Sequence, residues 1–570
     1  ERFRLYDKEM GAAVTATGRS VIDYTDEVVE NEGYEVIYGD SITGDRPIVV
    51  RDENGRIRIQ PIADLFNRAE AASAQQSAVA SDGGLAIKPS EPKDRRPLPG
   101  WDALSLTEEG ETEWRSITQV IRHRTDKDVL TLQHKFGEST TTRDHSYVVE
   151  EDESLIERPP EEVEEPLRVP DLPEVETVET IDVYEVLNGY TRNYDDGRMV
   201  GAENAIEKTK RVHTDGDYVW FGQEHHDQYD TVPKVKRHID LASDDGRALI
   251  RLLAAYITEG SASTKETTSS RFGASIAESR HEWLEEFQAD YQRLFTDTQA
   301  SIVASDTRTE RTVEYETADG LASVSYDDGT KKLQMMNELA AVFFREFAGQ
   351  RSRGKRIPSF VFHLPEEQQS LFVDVLVEGD GSREFPRYSD GYSVRNFDYE
   401  TTSRELAGGL SMLLTQRGQK HSLKYRDEKD SYTIRTCDYY RSGRDPVLTE
   451  TDHDGYVYDL SVDANENFVD AVGGIVLHNT DSVMLQLGEI SPKDIDGEID
   501  VTDEMREKHV DMSEEELETV VATVQKGFEL EDYINASYDE FAKRELGAEE
   551  HRFQIEFEKL YRRFFQAGKK

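Results

Sequence analysis

The two ends of the chain carry clear helix and strand patterns. Residues 6–29 predict a helix, because apolar side chains recur at spacings of four and seven positions, at Met10, Val14, Val21 and Val28. Residues 34–38 follow as a short strand, and residues 480–487 alternate as another. Ser513 and Glu516 then form a capping box at the start of a further helix. We therefore expect the two ends to be pieces of one α+β domain, separated by a very long insertion.

The middle of the chain changes its pattern several times. Residues 41–150 are rich in short β-type runs, and the strand pattern returns from Tyr456 onward. Residues 151–240 begin with an acidic, proline-studded stretch, whereas residues 241–445 are helical in larger part. These changes divide the chain into six segments: 1–40, 41–150, 151–240, 241–445, 446–479 and 480–570.

The composition is strongly acidic, with 117 Asp+Glu against 68 Lys+Arg, a formal net charge of −49 and a mean hydropathy of −0.71. Such a chain suggests a cytoplasm full of salt, where carboxylates keep a folded protein hydrated. The 26 Tyr and 22 Phe argue against disorder. The single cysteine, Cys437, excludes a disulfide framework and a cysteine-rich zinc site. No apolar run approaches the ~20 residues that span a bilayer, and the charged start at Glu1 is not a signal peptide, so we expect a cytoplasmic protein with no membrane partner.

The strongest signal lies where the insertion begins and ends. When residues 41–479 are removed, Tyr38-Gly39-Asp40 meets Thr480-Asp481-Ser482, and the joined sequence reads YGDTDS. This hexapeptide resembles the metal-binding turn of family B DNA polymerases, and both flanks resemble the palm region of that family. The resemblance implies that Asp40 and Asp481 hold Mg²⁺ in the joined host, which acts on dNTPs and primer–template DNA. The alternative is that both residues are ordinary turn acids, which the matching flanks disfavour.

The insertion itself resembles an intein, a segment that excises itself and ligates its flanks. Its motifs stand in the expected order: Ser41 to Asp45, Thr142 to His145, Val457 to Val462 and Gly474 to Asn479, followed by Thr480. Each motif alone is a weak signal, and His145 taken singly would be an ordinary core or loop histidine. Bounded by a split polymerase motif, the set predicts protein splicing that needs no cofactor.

The resemblance gives each residue of the first junction a role. Ser41 attacks the carbonyl of Asp40, while Thr142 and His145 hold that peptide and stabilise the oxyanion. Ser41 departs from the more usual cysteine, so no thioester can form.

The second junction is assigned in the same way. Thr480 takes over the acyl group, and Asn479 cyclises and cuts its own peptide bond, with His478 as the polarising donor. Asp459 stands where the family keeps an acid that handles protons between the steps. Glu466 occupies a position often held by histidine, so the chain departs there from the family's usual acid–base residue for the last step.

Two further segments, Leu252–Gly260 and Val373–Gly381, resemble the paired LAGLIDADG motifs of homing endonucleases. That family packs two such helices side by side, so that the acids at their ends meet. The resemblance implies that Glu259 and Asp380 hold Mg²⁺ against double-stranded DNA, and that Lys355 helps to activate water.

The helix contact in this motif pair has both typical and unusual residues. Ala254 and Ala255 suit a close approach of the two helices, whereas Val375 stands where the second helix often has glycine and Asp374 is unusual there. Taken singly, Glu259 is more simply read as a helix-end acid. An intein can also splice with a decayed endonuclease.

We therefore predict a multidomain chain in which a splicing domain carries an inserted endonuclease and interrupts a polymerase. The segments are, in order, an α+β polymerase palm piece (1–40), the first part of an all-β horseshoe splicing domain of the Hint type (41–150), an acidic linker and possible DNA-recognition region (151–240), an α/β LAGLIDADG endonuclease (241–445), the second part of the splicing domain (446–479) and a second palm piece (480–570). We expect a monomer that does not polymerise alone, because the family's other metal-binding aspartate would precede Glu1. Two alternatives stay open: a splicing intein with a decayed endonuclease, and an inert insertion in a DNA-binding replication module.

The acidic composition leads to a prediction about salt. We expect folding and splicing to need roughly molar KCl, because the Debye length falls to ~3 Å near 1 M and repulsion among the carboxylates is then screened. The measurement is the intact mass of the chain after incubation across a KCl series. Full splicing in dilute buffer, with no dependence on salt, would contradict the halophilic interpretation.

Overall fold

The fold is taken from a computed structural model of the 570-residue chain. It describes residues 24–25, 28–29, 35–36, 41–80, 93–125, 128–151, 154–194, 208–222, 232–264, 272–304, 310–317, 320–327, 330–383, 397–437, 446–478, 485–486, 490–491, 493, 501–502 and 513–545. Contacts divide the chain into two compact units, residues 1–39 with 480–570 and residues 40–479. Within the described residues, no helix combines the length and the apolar character that a membrane span requires.

The larger unit contains one antiparallel sheet of fourteen strands. Twelve of them follow each other in the spatial order Ser154–Arg158, Ser146–Glu151, Ile475–His478, Asn467–Asp470, Pro47–Arg51, Asp102–Leu106, Thr112–Arg124, Tyr456–Val462, Ile42–Thr43, Gly137–Thr142, Val129–His134 and Val447–Thr451; Ile57–Pro61 pairs with Pro47–Arg51, and Lys93–Pro97 with Thr112–Arg124. Strands from residues 42–158 and from residues 447–478 therefore interleave. The first and last strands of the insertion lie in the same sheet, which brings its two ends into one structure.

A helix, Ile62–Ala80, covers part of this sheet. Its buried residues follow the spacing of one helix face: Ile62, Leu65, Phe66 and Ala69. The guanidinium of Arg122, on strand Thr112–Arg124, lies 4.1 Å from the centre of the Phe66 ring. The helix is therefore fixed to the sheet by apolar burial and by a cation–π contact.

The rest of the larger unit is built from helices and small sheets. The helices are Val183–Leu187, Asp244–Glu259, His281–Leu294, Glu338–Ala348, Glu366–Asp380 and Arg404–Gln416, with 3₁₀ turns at Pro160–Glu162 and Ser359–His363. A five-stranded sheet contains Thr191–Tyr194, Lys208–Thr214, Tyr218–Gly222, Lys234–Lys236 and Phe295–Thr296; two four-stranded sheets contain Gly260–Ser263, Gly273–Glu278, Lys331–Met335 and Ser301–Ala304, and Gly381–Arg383, Phe397–Thr401, Ser431–Thr436 and His421–Arg426. The two-stranded pairs are Thr180–Asp182 with His238–Asp240, Glu310–Thr317 with Gly320–Asp327, and Gly349–Gln350 with Gly354–Lys355.

Residues 151–240 contain more regular structure than the expected acidic linker. Four strands of the five-stranded sheet come from this range. Val212, Val219 and Phe221 are buried in the same apolar cluster as the helices that follow. The alternation in these strands buries one face, so this part of the range is a folded sheet.

One apolar core runs from the large sheet into the helices of residues 241–445. Val49, Val469 and Val476 of the sheet belong to the same buried cluster as Leu406 and Leu410 of helix Arg404–Gln416. A Cβ added at Gly408 of this helix would lie 2.9 Å from the Ala471 Cβ, so only glycine permits the observed approach to the sheet. The sheet and the helical region are therefore packed directly on each other.

The smaller unit is described in part. Glu35–Val36 pairs antiparallel with Leu485–Gln486, as the predicted strands on the two sides of the insertion require. The capping box is confirmed, because the Glu516 N–H donates to Ser513 Oγ at 3.3 Å at the start of helix Glu514–Glu545. Of the predicted helix over residues 6–29, residues 24–25 and 28–29 are helical, and residues 6–23 lie outside the described residues.

A buried arginine ties three segments of the large sheet together. Arg46 is fully buried and donates from Nε to Asp470 Oδ2 at 2.8 Å and from Nη1 to Glu138 Oε1 at 3.2 Å. Ser139 Oγ also donates to Asp470 Oδ2, at 2.7 Å. Burial alone lowers the pKa of Arg46, but the charges of Asp470 and Glu138 outweigh it and raise the pKa above its ordinary value.

This network predicts a large effect of a single substitution. Arg46→Met should lower the free energy of unfolding by about 3–5 kcal/mol, because it leaves two buried carboxylates without their cation. Arg158→Met is the matched control: Arg158 pairs with Glu151 at the protein surface, where ion pairs contribute little to stability. Urea unfolding in molar KCl measures both variants. Equal unfolding midpoints for the two would contradict the role given to Arg46.

Candidate functional site

Ser41 lies in a backbone bracket formed by Thr142. The Ser41 N–H donates to Thr142 Oγ1 at 3.2 Å, and the Thr142 N–H donates to the Ser41 carbonyl at 2.8 Å. Ser41 is buried, and its Oγ has no hydrogen-bond partner among the residues that the structure describes. The peptide at Ser41 is thus held by two hydrogen bonds while its hydroxyl is left available.

His145 lies beside this bracket. Its backbone N–H donates to the Thr142 carbonyl at 3.1 Å. Its imidazole ring packs near the rings of Tyr147 and Phe468, whose centres lie 6.2 and 6.4 Å from its own. The side chain is fully buried, and neither ring nitrogen has a partner within the described ranges. Burial, and then the nearby His478, lower the pKa of His145 to about 3. The imidazole is therefore neutral at any physiological pH, and one of its nitrogens can donate to an oxyanion.

His478 ends the last strand of the insertion, next to the same region. Its neighbours across the two flanking strands are Ser146 and Asn467. His478 Nε2 lies 3.2 Å from Glu157 Oε1, and the histidine side chain is mostly buried. The sequence analysis did not single out Glu157. Nothing in its surroundings along the chain marks it, because its contact with His478 depends on the pairing of distant strands.

Asp459 lies on the strand that pairs with the segment after Ser41. Strand Tyr456–Val462 pairs with Ile42–Thr43, with Tyr458 opposite Ile42, so Asp459 and Ser41 each stand one residue beyond this paired position. Asp459 is buried, and its Oδ1 accepts the Leu460 N–H at 2.7 Å. An acid is therefore present within one residue step of the serine.

Four predicted junction residues, Asp40, Asn479, Thr480 and Asp481, lie outside the described residues. Glu466, which stands where histidine was expected, is half-buried in the turn before strand Asn467–Asp470 and has a φ of 52°. The structure thus brings together Ser41, Thr142, His145, Asp459 and His478.

The two predicted acids of the endonuclease motifs end two helices that pack against each other, Asp244–Glu259 and Glu366–Asp380. A Cβ added at Gly379 would lie 2.5 Å from Thr258 Oγ1, so the closest approach of the helices depends on this glycine. Val375 is buried. Sequence reasoning had looked for the close contact at Val375 and missed Gly379, one turn later.

The pKa values of both carboxyl groups are raised. Burial, and then the charge of Asp380, raise the pKa of Glu259 to about 7. Burial also raises the pKa of Asp380 to about 6, against the lowering effect of Lys355. Both shifts show a site that disfavours two negative charges unless a cation is added.

Lys355 is the cation whose charge acts on Asp380. Its Nζ donates to the carbonyls of Tyr256 at 2.5 Å and Gly260 at 3.0 Å, at the end of helix Asp244–Glu259. It also lies 3.2 Å from the centre of the Tyr256 ring. Burial lowers the pKa of Lys355 to about 7, despite the opposing charge of Asp380. A lysine with this pKa exchanges its proton readily near neutral pH.

Sequence reasoning also missed Tyr399. It pairs with Gly381 across strands Gly381–Arg383 and Phe397–Thr401, is almost fully buried, and feels the charges of both Asp380 and Glu259. Its hydroxyl has no partner among the described residues. Only the strand pairing brings this tyrosine to the acids, and no pattern along the chain shows that.

The donor set fits a hard divalent cation shared with a ligand. Among the described residues, no group of three or more His, Cys, Asp or Glu side chains forms a complete protein metal site. Glu259 and Asp380 supply carboxylate oxygens, which Mg²⁺ prefers, and Mg²⁺ often takes its remaining ligands from phosphate and water. Their raised pKa values agree with such a role.

No family model matches the chain. It is 35% identical over 163 residues to a DNA polymerase of Thermococcus aggregans, which is 28% of this chain and 8% of that relative. It is 23% identical over 497 residues to a DNA polymerase of Acanthamoeba polyphaga mimivirus, which is 84% of this chain and 23% of that relative. The chain therefore spans less than a quarter of the length of either relative.

Solved structures with similar parts include an intein from a hyperthermophile, 16% identical, aligned over 35% of this chain and 99% of its own length at a TM-score of 0.18. Variants of the homing endonuclease I-DmoI are 12% identical and align over 34% of this chain and 86% of their own length at a TM-score of 0.23. TM-scores this low define no shared fold for the chain as a whole.

Proposed function

We propose that residues 41–479 excise themselves and join Asp40 to Thr480 in a DNA polymerase host. The observation that carries this proposal is the site at the start of the insertion. A buried serine with an available hydroxyl is held by Thr142, whose carbonyl also accepts the backbone N–H of the neutral, buried His145, and the large sheet that begins next to this serine also contains the strand that ends at His478. The similarity to DNA polymerases supports the identity of the host.

In the first step, Ser41 Oγ attacks the carbonyl carbon of Asp40. The C–N bond breaks, the hydroxyl proton passes to the released amine of Ser41, and the amide becomes an ester. Thr142 fixes the Ser41 backbone, and the neutral imidazole of His145 donates to the oxyanion that forms. Asp459, one step away in the register, accepts and returns protons during the exchange.

In the second step, the Thr480 hydroxyl attacks the ester carbonyl of Asp40, the bond from that carbon to Ser41 Oγ breaks, and the Thr480 hydroxyl proton passes to Ser41 Oγ, which gives a branched chain. The side-chain amide of Asn479 then attacks its own carbonyl, forms a cyclic imide and breaks the bond to Thr480. His478 polarises that carbonyl, and Glu157, 3.2 Å from its Nε2, orients the ring. An O→N shift finally moves the acyl group of Asp40 to the Thr480 amine and leaves a normal peptide.

The host role follows from the strand pair outside the insertion. Val36 lies opposite Leu485, and we infer from the joined sequence YGDTDS that Asp40 and Asp481 of the ligated host stand at the tip of one hairpin. Two carboxylates at such a tip suit Mg²⁺. We assign dNTPs and primer–template DNA to the complete host, and the acidic composition favours a haloarchaeal-like source.

We further propose that the excised insertion is a site-specific endonuclease of the LAGLIDADG type. The supporting observation is the pair of carboxyl groups with raised pKa values at the ends of two adjacent helices, beside the buried Lys355. A bound divalent cation supplies charge stabilisation at phosphate oxygens. Glu259 and Asp380 would hold it, and Lys355 would polarise the attacking water. The substrate is double-stranded DNA that encodes the uninterrupted YGDTDS site.

Splicing is tested at its two junctions. Asn479→Ala should stop cleavage at the second junction and leave branched or N-terminally cleaved chains, since only asparagine can cyclise there. Ser41→Ala should abolish the acyl shift. Intact mass in molar KCl distinguishes the unspliced chain from a 131-residue ligated product and a 439-residue excised one. Asn54→Ala, in an exposed turn, is the control and should splice as the unmodified chain does. Normal ligation by a chain with both junction substitutions would contradict the mechanism.

The endonuclease is tested with a plasmid that carries the joined site, with Mg²⁺ and a KCl series. Asp380→Asn should abolish cleavage while splicing continues, because it removes one of the two carboxylates. Asp374→Asn, an exposed acid on the same helix, should cut as the unmodified chain does. No cleavage by the unmodified protein at any salt concentration would mean a decayed enzyme. Undiminished cleavage by Asp380→Asn would mean that the site is elsewhere.

A further inference from the structure

Two side chains of the helical region reach across to the splicing sheet. Tyr432 is buried on strand Ser431–Thr436, and its hydroxyl donates to Glu138 Oε1 at 3.0 Å. Arg404, at the start of helix Arg404–Gln416, donates from Nε to the Tyr432 hydroxyl at 2.7 Å. The guanidinium of Arg404 also forms an ion pair with Asp45.

The acceptors of these contacts belong to the segments that hold the first junction. Glu138 lies near the start of strand Gly137–Thr142, whose other end brackets Ser41. Asp45 follows Ser41 by four residues, and its Oδ1 accepts the Thr43 hydroxyl at 2.7 Å. The next residue is Arg46, which binds both Glu138 and Asp470. Hydrogen bonds and an ion pair from the helical region thus reach the turn that follows Ser41 and the strand whose other end brackets Ser41.

We propose that Tyr432 and Arg404 are positioning residues for protein splicing, which makes the endonuclease region part of the splicing machinery. This inference rests on the proposed splicing function. Neither side chain touches the reacting atoms. They act through Glu138 and Asp45, by fixing the strand that carries Thr142 and the turn that follows Ser41.

The strength of the effect follows from what remains when the tyrosine hydroxyl is removed. Glu138 keeps its contacts with Arg46 and with Gln133 Nε2, the latter at 3.3 Å, so its charge stays compensated. It loses one donor, and hydrogen bonds to charged groups are stronger than neutral ones, so we expect ligation to slow by about tenfold. Small displacements of a reacting group have effects of this size or greater.

The same helix start also touches the other site. Ser403 caps helix Arg404–Gln416: its Oγ accepts the Leu406 N–H at 3.2 Å and donates to the Lys355 carbonyl at 2.6 Å. Consecutive residues, Ser403 and Arg404, therefore contact the endonuclease lysine and the turn after Ser41. The helix start is a rigid element shared by the two sites.

The test compares two substitutions that remove contacts across the boundary with two that remove equivalent contacts inside the helical region. Tyr432→Phe is matched by Tyr425→Phe, its direct cross-strand neighbour, whose hydroxyl donates to Asp430 at 2.7 Å. Arg404→Gln is matched by Arg435→Gln, whose Nε donates to Asp398 at 2.7 Å. Each full-length chain is diluted from urea into molar KCl, and the 131-residue product is followed with time. Circular dichroism gives the folded fraction in the same samples.

The expected result is slower ligation, by about tenfold, for Tyr432→Phe and Arg404→Gln at an unchanged folded fraction, with rates near those of the unmodified chain for the two controls. The Tyr432→Phe effect should also be smaller when Glu138→Gln is already present, because the neutral amide oxygen accepts a weaker hydrogen bond from Tyr432 than the carboxylate does. If Tyr432→Phe reduces the folded fraction, the comparison uses Arg404→Gln and its control Arg435→Gln instead, because Arg404 is partly exposed.

Two results would overturn the inference. Equal rates for all four variants, in a chain that ligates, would reject it and leave the proposed splicing function intact. An equal loss of rate in all four would show a general effect on folding and reject it as well. If the unmodified chain never ligates, the proposed function fails and the inference fails with it.

Discussion

The buried guanidinium of Arg46 is the constraint on which the splicing site depends. A fully buried cation is tolerated only when its hydrogen-bonding groups meet carboxylates, and here Glu138 and Asp470 provide them from two distant parts of the chain. The three residues belong to the segment after Ser41, to the strand that carries Thr142 and to the hairpin that leads to His478. Because the Arg46 guanidinium must pair with both carboxylates, its burial holds all three parts of the junction site together.

The sequence predicted those features that depend on local pattern, and missed those that depend on pairing between distant segments. The motif order gave Ser41, Thr142 and His145, and the structure sets them side by side. Arg46 and Glu138 carried no such signal, because a charged residue in an acidic chain looks like surface. Gly379 was missed for another reason: the need for a glycine there arises from Thr258 on the other helix. The assignments of chemical roles remain predictions.

The acidity of the chain also affects what its basic stretches can bind. Two basic stretches, residues 208–211 (KTKR) and residues 234–237 (KVKR), stand out in so acidic a sequence and fit contacts with DNA phosphates. In the structure Lys210 pairs with Glu338, and Lys236 with Asp245. Basic side chains that are already paired with acids within the fold contribute little to counterion release on DNA binding. These strands are therefore poor binding sites for DNA phosphates at high salt. Hydrogen bonds to the edges of the DNA bases are less sensitive to this loss of available positive charge than contacts with the DNA phosphates are.

The shared core bears on why an intein would keep an endonuclease fold. Leu406 and Leu410 pack in the same cluster as Val469 and Val476 of the splicing sheet, so deleting the helical region would expose apolar surface of the sheet itself. Selection for splicing alone is then enough to retain these helices, even in a chain whose endonuclease has decayed. The persistence of the fold is therefore no evidence of DNA cleavage. What packing does not require is the pair of carboxyl groups at the helix ends, where burial, and then the charge of Asp380, raise the pKa of Glu259. Stability alone would favour their removal.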